Sequence, residues 1–288
     1  MAAIPKVGII VLNYNGENCL PACLKSLDGL EYSNREIIIV DNCSSDDSLL
    51  TAERMSPQHT FARNTKNEGF AKGMNIGIRL ALARGAEWCW LVNYDTETDP
   101  VALTKLITEA QKHPEAGLLS PVIYEKESAQ PWFAKGKIDF FRMRAIHSRP
   151  SREESSSESY RSEFLTGCAL LIKKELIEAI GFLDERFFLY YEDADYSLRA
   201  AQAGFACLVA PRASVWHSEE SRLRSEKTYF LVYSGLLFFK KYASFLLRPY
   251  FFAYVTIRRV KNRFDLLWKK TSDVLETRRA YEDYFHER

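Results

Sequence analysis

Five acidic side chains and six aromatic rings crowd into the nineteen residues Gly181–Arg199, GFLDERFFLYYEDADYSLR. Aromatic density of this kind buries surface, whereas an unpaired carboxylate resists burial because it loses its hydration. Glu192, Asp193 and Asp195 directly follow Phe187-Phe188-Leu189-Tyr190-Tyr191. They therefore read as carboxylates lining a pocket, where one can act as a general base or hold a cation. The same residues also fit a structural reading, in which Asp193 caps a helix and Asp195 pairs with Arg199 one turn on.

Other groups with chemical potential sit where apolar runs end. Asn93-Tyr94-Asp95-Thr96-Glu97 follows such a run. In an extended chain alternate residues point the same way, so Asn93, Asp95 and Glu97 converge as oxygen ligands suited to a hard cation such as Mg²⁺ or Mn²⁺ beneath a phosphate. Asn13-Tyr14-Asn15-Gly16 and Asp41-Asn42-Cys43-Ser44-Ser45-Asp46 offer short polar side chains able to hydrogen-bond a base and a ribose, or to make ordinary turns and caps. Between Arg63 and Asn75, Gly69 and Gly73 with Asn67 and Asn75 suggest close backbone approach to a ligand, and Lys72 offers charge to a diphosphate. The alternative is a plain capped helix, for which Gly73 and Asn75 are poor interior residues. His217, late in the core, reads either as a metal ligand or as a packed or surface histidine.

The elements that must position these groups alternate. Val7–Leu12, Glu36–Val40, Thr60–Arg63, Trp88–Val92 and Gly117–Ile123 read as strands. Glu17–Leu27, Asp46–Met55, Ala71–Arg84 and Pro100–Gln111 read as helices between them. Such alternation implies parallel βαβ units, and ligands of such sheets bind beyond the carboxyl ends of the strands. Residues Glu125–Glu163 break the pattern, and the polar run Ser151–Glu163 reads as a mobile surface loop. Phe164–Lys173 then reads as a strand leading into a helix that ends at Gly181, and Asp193–Ala203 as a helix ended by Gly204. Phe205–Ala210 reads as a strand stopped by Pro211.

At 288 residues and 47% hydrophobic content the chain can bury a substantial core, as one domain or one with an appendage. A net charge of +1 argues against binding nucleic acid by bulk charge. Six cysteines form no regular framework and no N-terminal targeting segment is visible, which favours a reducing, cytoplasmic setting. No uncharged apolar run reaches the ~18–20 residues of a membrane span.

Six segments in order resemble glycosyltransferase family 2, the inverting enzymes of GT-A fold, especially its rhamnosyltransferase-like bacterial branch. They are IIVLNYNG (9–16), IIIVDNCSSDDS (37–48), NTKNEGFAKGMNIGI (64–78), LVNYDTE (91–97), FLTGCALLIKKELIEAIGFLDERFFLYYEDADYSLR (164–199) and SVWH (214–217). The resemblance implies a mostly parallel sheet flanked by helices, with a nucleotide-sugar half over about 1–124 and an acceptor half over about 125–225. A helical extension over 226–288 follows. It implies that Asp95, with Asn93 in place of a first Asp, and His217 hold a divalent cation, Mg²⁺ or Mn²⁺. It also implies that Asn13, Asn15, Asp41, Asn67, Gly69, Lys72, Asn75 and Asn93 serve the nucleotide sugar, and that Asp193, with Glu192 beside it, is the catalytic base. The expected activity is metal-dependent hexosyl transfer with inversion, from dTDP-rhamnose as first guess, to a saccharide or lipid-linked saccharide of the cell surface. A sugar-nucleotide-binding or scaffolding protein without catalysis is the rival of another class, and retention of Asp95 and Asp193 argues against it. A nucleotidyltransferase lacks its Gly-rich loop here.

The C-terminal segment is rich in Phe, Tyr and Leu from Thr228 to Ile257, and Lys240–Lys270 carries nine Lys/Arg against Asp265 alone. Pro249 is expected to break its helix. Residues 228–270 are expected either to lie against an anionic membrane or to pack on the catalytic domain or a second subunit of a homodimer.

Overall fold

The computed structural model describes residues 4–128, 130–156, 158–218, 225–269 and 271–286. Its first part is β1 (Val7–Asn13), α1 (Leu20–Asp28), β2 (Arg35–Asp41), α2 (Ser48–Met55), β3 (Thr60–Arg63), α3 (Gly69–Ala83) and β4 (Trp88–Asn93). A short β5 (Thr96–Thr98), α4 (Ala102–Lys112) and β6 (Ala116–Glu125) follow. Then come β7 (Pro131–Phe133), the hairpin β8 (Lys135–Asp139) and β9 (Arg144–Ser148), α5 (Arg152–Ser156) and β10 (Tyr160–Arg161). The sheet-bearing part closes with β11 (Ala169–Lys173), α6 (Lys174–Ile180), α7 (Glu192–Gln202) and β12 (Ala206–His217). Three helices end the chain: α8 (Ser225–Tyr242), α9 (Arg248–Trp268) and α10 (Ser272–His286).

The main path of the sheet runs β3-β2-β1-β4-β11-β6-β12-β10, with β11 antiparallel to both its neighbours and β12 parallel to β6. β1, VGIIVLN, is buried at all seven positions, as an apolar β-branched run covered on both faces should be. Its register places Asn13 opposite Asp41 on β2 and Leu12 opposite Asn93 on β4, so the polar residues at three strand ends share one edge. α3 lies close on this sheet because Gly73 and Gly77 have no side chain; a Cβ there would come within 2.5 Å of Leu12 and 2.3 Å of Ile10. Gly73 therefore serves helix–sheet contact rather than a ligand.

Three expectations need correction. The run Ser151–Glu163, expected as a loop, holds α5 and β10, with Ser157 outside the described residues, and the stretch before it holds β7 and the β8–β9 hairpin. The strand expected from Phe164 begins at Ala169, because 164–167 is drawn away from the sheet; Leu165 N–H donates to Ser197 Oγ and Gly167 N–H to Asp193. Pro211 does not stop the last strand. A register shift between Ala210 and Ser214 absorbs the missing N–H, and β12 continues to His217.

The C-terminal helices divide. In α8, Leu236, Phe238 and Phe239 are buried in the same core as the sheet, and Tyr191 packs on both phenylalanine rings at 5.2 and 5.8 Å. Fully buried Asp195 anchors this helix: it pairs with Arg199 at 2.8 Å, accepts from Tyr242 Oη at 2.8 Å and pairs with Lys241. The buried aromatics of α8 thus pack into the core of the sheet. Pro249 sits in the first turn of α9, where its missing N–H is costless, so it starts a helix after a break at 243–247. Among the described residues no helix is long and apolar enough to cross a membrane.

Candidate active site

A cavity of about 600 Å³ opens at the carboxyl edge of β1, β2 and β4, within the range usual for small-ligand sites. Its polar rim includes Asn15, Asn42, Asn67, Gly69, Asn93 and Asp95. Asn42 is the hub: its Oδ1 accepts from Asn64 Nδ2 and Glu68 N–H, while its Nδ2 donates to Asn67 Oδ1 at 2.8 Å and to the Gly69 carbonyl. Asn67 Oδ1 also accepts from Gly69 N–H at 2.9 Å. Gly69 has φ +79, and a Cβ there would meet the Phe188 carbonyl at 2.5 Å, so only glycine fits this helix start. Asn15, itself at φ 53, accepts from Ser45 N–H at 2.8 Å.

Four of the residues expected at the nucleotide sugar do not reach the cavity lining. Asn13 is fully buried; its Nδ2 donates to Asp41 Oδ1 and Ser48 Oγ, both at 2.8 Å. Asp41 in turn accepts from Ser44 Oγ and N–H. The two tie the ends of β1 and β2 together behind the rim. Lys72 pairs with Glu68 at 2.7 Å one turn back on α3. Asn75, buried, clamps Leu183 from both sides, donating to its carbonyl at 2.9 Å and accepting from its N–H at 3.1 Å.

Asp95 and His217 meet inside the cavity. β5 pairs antiparallel with the end of β12, placing His217 opposite Thr96, and Asp95 Oδ1 stands 3.2 Å from His217 Nε2. Both side chains are largely buried, yet Asp95 Oδ1 and His217 Nδ1 have no hydrogen-bond partner. The orphaned Asp95 Oδ1 suits a cationic partner shared with His217 Nε2. Among the described residues no group of three or more His, Cys, Asp or Glu stands ready for a metal. Two protein ligands nevertheless match a cation that completes its shell with substrate phosphates and water. The turn at Tyr94–Asp95 interrupts the strand, so the expected alternation breaks there, and Glu97 on β5 joins Lys126 instead.

Glu192 and Asp193 open α7 after a strained turn: Tyr190 and Tyr191 have φ of 70 and 67, rare for bulky residues. α8 holds that turn in place, since Ser234 Oγ donates to the Leu189 carbonyl at 2.8 Å and Gly235 leaves room for the Tyr191 ring. Asp193 Oδ2 accepts from Gly167 N–H at 3.0 Å and Oδ1 from Ala194 N–H at 2.7 Å. Burial pushes its pKa up, while these two N–H groups and the nearby His147 ring hold the rise in check. Burial, then the charge of Asp193, push Glu192 well above the usual carboxylate range, and its Oε2 is buried with no partner. Of the two, Asp193, with its two donors, ionises first.

The remaining wall is aromatic. Trp132 lies 4.6 Å from the His217 ring and 4.7 Å from His147, and Phe188 stacks on Phe230 of α8 at 4.7 Å. His147 Nδ1 stands 3.1 Å from the Trp132 carbonyl, which can only accept, so that nitrogen is the donor. Asn42, Trp132, His147 and Phe230 were not singled out from sequence. Asn42 lies in the polar turn after β2; Trp132 is brought in by β7 against β6, His147 by the β8–β9 hairpin and Phe230 by α8.

The sequence profile of glycosyl transferase family 2 matches residues 8–181. The chain belongs to this family. This family 2 glycosyltransferase is 25% identical over 229 residues to an N-acetylglucosaminyl-diphospho-decaprenol L-rhamnosyltransferase of Mycobacterium tuberculosis, covering 73% of the chain and 75% of that protein. It is 24% identical over 220 residues to the dTDP-rhamnosyl transferase RfbF of Shigella flexneri, covering 73% and 68%. Among solved structures, GalNAc-T7 with UDP, GalNAc and Mn²⁺ superposes with a TM-score of 0.69 at 18% identity over 99% of this chain and 55% of that one. The mannosyltransferase PcManGT of Pyrobaculum calidifontis, with GDP-Man and Mn²⁺, gives 0.63 at 17% over 99% and 75%. At these identities the structures speak for the fold alone, the GT-A arrangement.

Proposed function

We propose that this glycosyltransferase moves a sugar, rhamnose from dTDP-rhamnose, to a saccharide hydroxyl with inversion at the anomeric carbon, in the building of a cell-surface polysaccharide. The observation that carries the reading is that Asp193 and the Asp95–His217 pair face one cavity. The names of the two rhamnosyltransferase relatives support the donor. The acceptor in this reading is lipid-carried, as in the mycobacterial relative's name, and the part of 228–270 that the core does not bury lies in peripheral contact with the membrane.

Asn15, Asn67, Gly69 and Asn93 receive the nucleotide diphosphate along the rim, with Asn42 bonding its members together and Asn13 and Asp41 fixing it from behind. Asp95 and His217 would hold Mg²⁺ or Mn²⁺, which supplies positive charge against the departing diphosphate. Asp193 takes the proton of the acceptor hydroxyl as that oxygen bonds to the anomeric carbon; the bond to the diphosphate breaks and its electron pair leaves with the nucleoside diphosphate. Protonated Glu192 adds no second negative charge beside the base. The aromatic wall seats the acceptor and limits water at Asp193.

The test is transfer and donor hydrolysis with dTDP-rhamnose and other nucleotide sugars in Mg²⁺ or Mn²⁺. Asp193→Asn should lose roughly 10²–10⁴-fold in turnover while keeping donor affinity. Transfer at the wild-type rate by that variant would remove Asp193 from the role.

A further inference from the structure

The turn before α9 and the outer side of α9 are apolar where they meet solvent. Phe245 and Leu246 are 83% and 85% exposed, and along the helix Ile257, Phe264, Leu267 and Trp268 are 67%, 61%, 71% and 86% exposed. At 3.6 residues per turn these four, with Val260, fall within about 100° of the helix circumference. The residues α9 buries, Phe251, Val255 and Asn262, lie on the opposite side. A surface helix normally turns its apolar stripe inward, so α9 carries a second, uncovered one.

Charge decides what covers it. Of the cations of α9, Arg259 turns inward over the Phe285 ring at 4.6 Å and Arg248 and Arg258 lie on the same inner side, which leaves Lys261 and Arg263 beside the stripe against one acid, Asp265, which pairs with Lys261 at 3.2 Å. Lys261 and Arg263 flank the stripe on either side. Two copies joined through this face would bring their cations together, whereas an anionic surface would neutralise them. We infer that the 245–247 turn and the outer face of α9 dock on an anionic phospholipid leaflet, rings in the interface and cations at the phosphates. The rest of the broader 228–270 segment is not equivalent: the buried rings of α8 have no part in docking.

The docking face continues to the active site. Tyr250 and Tyr254 of α9 donate their hydroxyls to the carbonyls of Phe141 and Arg142 at 2.6 and 3.1 Å, in the turn of the β8–β9 hairpin. Phe141 is itself 71% exposed and packs on Tyr250. The same hairpin presents Ala145 and His147 to the cavity. Docking would hold that wall at the leaflet, where a lipid-carried saccharide arrives; this last step rests on the function proposed above.

The experiment is co-sedimentation of the full chain with vesicles of phosphatidylglycerol and phosphatidylcholine, and of phosphatidylcholine alone, at low and high salt. Binding to the anionic vesicles that salt reverses is expected. Phe264→Ser/Trp268→Ser should weaken it roughly ten-fold per ring, and Lys261→Gln/Arg263→Gln roughly five-fold per cation. These side chains are exposed, and unchanged thermal unfolding checks that both variants fold. A wild-type chain left in the supernatant at low salt overturns the inference, as does equal binding to neutral vesicles. So does a dimer in sedimentation velocity that Phe264→Ser/Trp268→Ser dissociates. Donor hydrolysis measured without vesicles separates the two readings: its absence in a chain that still binds anionic vesicles removes the proposed function and leaves the docking.

Discussion

The rim of the cavity on the β1, β2 and β4 side is made of amides and hydroxyls bonded to one another, whereas the wall facing it from later in the chain is made of rings, a strained turn and two carboxylates. Asn13, Asp41, Ser44 and Ser48 form one closed group, and Asn42, Asn67 and Gly69 another. The residues of both groups come from the first part of the fold alone. The other wall depends on distant pieces: Asn75 of α3 clamps Leu183, Ser234 of α8 secures Leu189, and Asp195 ties α7 to Lys241 and Tyr242. One side is rigid by local hydrogen bonding, and the other is held by tertiary contact. A conserved-geometry ligand such as a nucleotide suits the first; an acceptor that differs between related enzymes suits the second.

Asp95→Ala tests the first side most severely. It removes one of the two groups proposed for the cation, so cation-linked donor affinity should fall by roughly 100-fold, on the scale reported for disturbed metal sites. Calorimetry with the nucleotide diphosphate, with and without Mn²⁺, reads this directly. Unchanged affinity in Mn²⁺ would take Asp95 out of the donor side and blur the division between the walls.

Asn75→Ala should have a smaller effect, on the other wall. It leaves the backbone N–H and carbonyl of buried Leu183 without their partner, at a cost of about 1–3 kcal/mol, and so lowers the melting temperature by a few degrees. Turnover with acceptor should fall while the donor's dissociation constant stays put. Equal losses in both would show that α3 couples the walls rather than serving one.

The difference between the walls also explains what was legible. The parallel strands announced themselves as apolar runs, and the residues at their ends follow by simple alternation, so Asn93, Asp95 and the Asn15 turn could be placed from spacing. Alternation failed at Glu97 because the turn at Tyr94–Asp95 interrupts the strand and the 96–98 segment pairs with β12, a partner far away in sequence. Lys72 turns to a Glu one turn back, a local pairing that spacing alone does not weigh. His147, Trp132 and Phe230 gave no sign, since a hairpin inside a polar stretch, the short β7 and a helix after the core bring them in. In Gly181–Arg199 the five carboxylates separate only in three dimensions: Asp184 goes to Arg186 and Lys241, Glu185 to Asn75, Asp195 to Arg199, and Glu192 and Asp193 to the cavity.

Those last two carboxylates permit the finest test. Glu192 has a raised pKa in the folded chain, from burial first and then from Asp193, so the native state binds its proton more tightly than the unfolded state. Its contribution to stability is therefore fully present below the unfolded pKa of about 4.3, and is lost as pH rises through the folded value. Glu192→Gln keeps the shape and a neutral head at every pH. Its stability relative to wild type should grow with pH above that unfolded value, by about 1.4 kcal/mol for each unit of the shift, and level off once wild-type Glu192 has ionised. Urea unfolding across the acid-to-neutral range measures the slope. On activity the variant should do little at the pH where Glu192 is still protonated, because a glutamine and a protonated glutamate both leave Asp193 as the only charge of the pair. A variant less stable than wild type at neutral pH would mean that Glu192 is ionised and paired, and that the base has a charged neighbour after all.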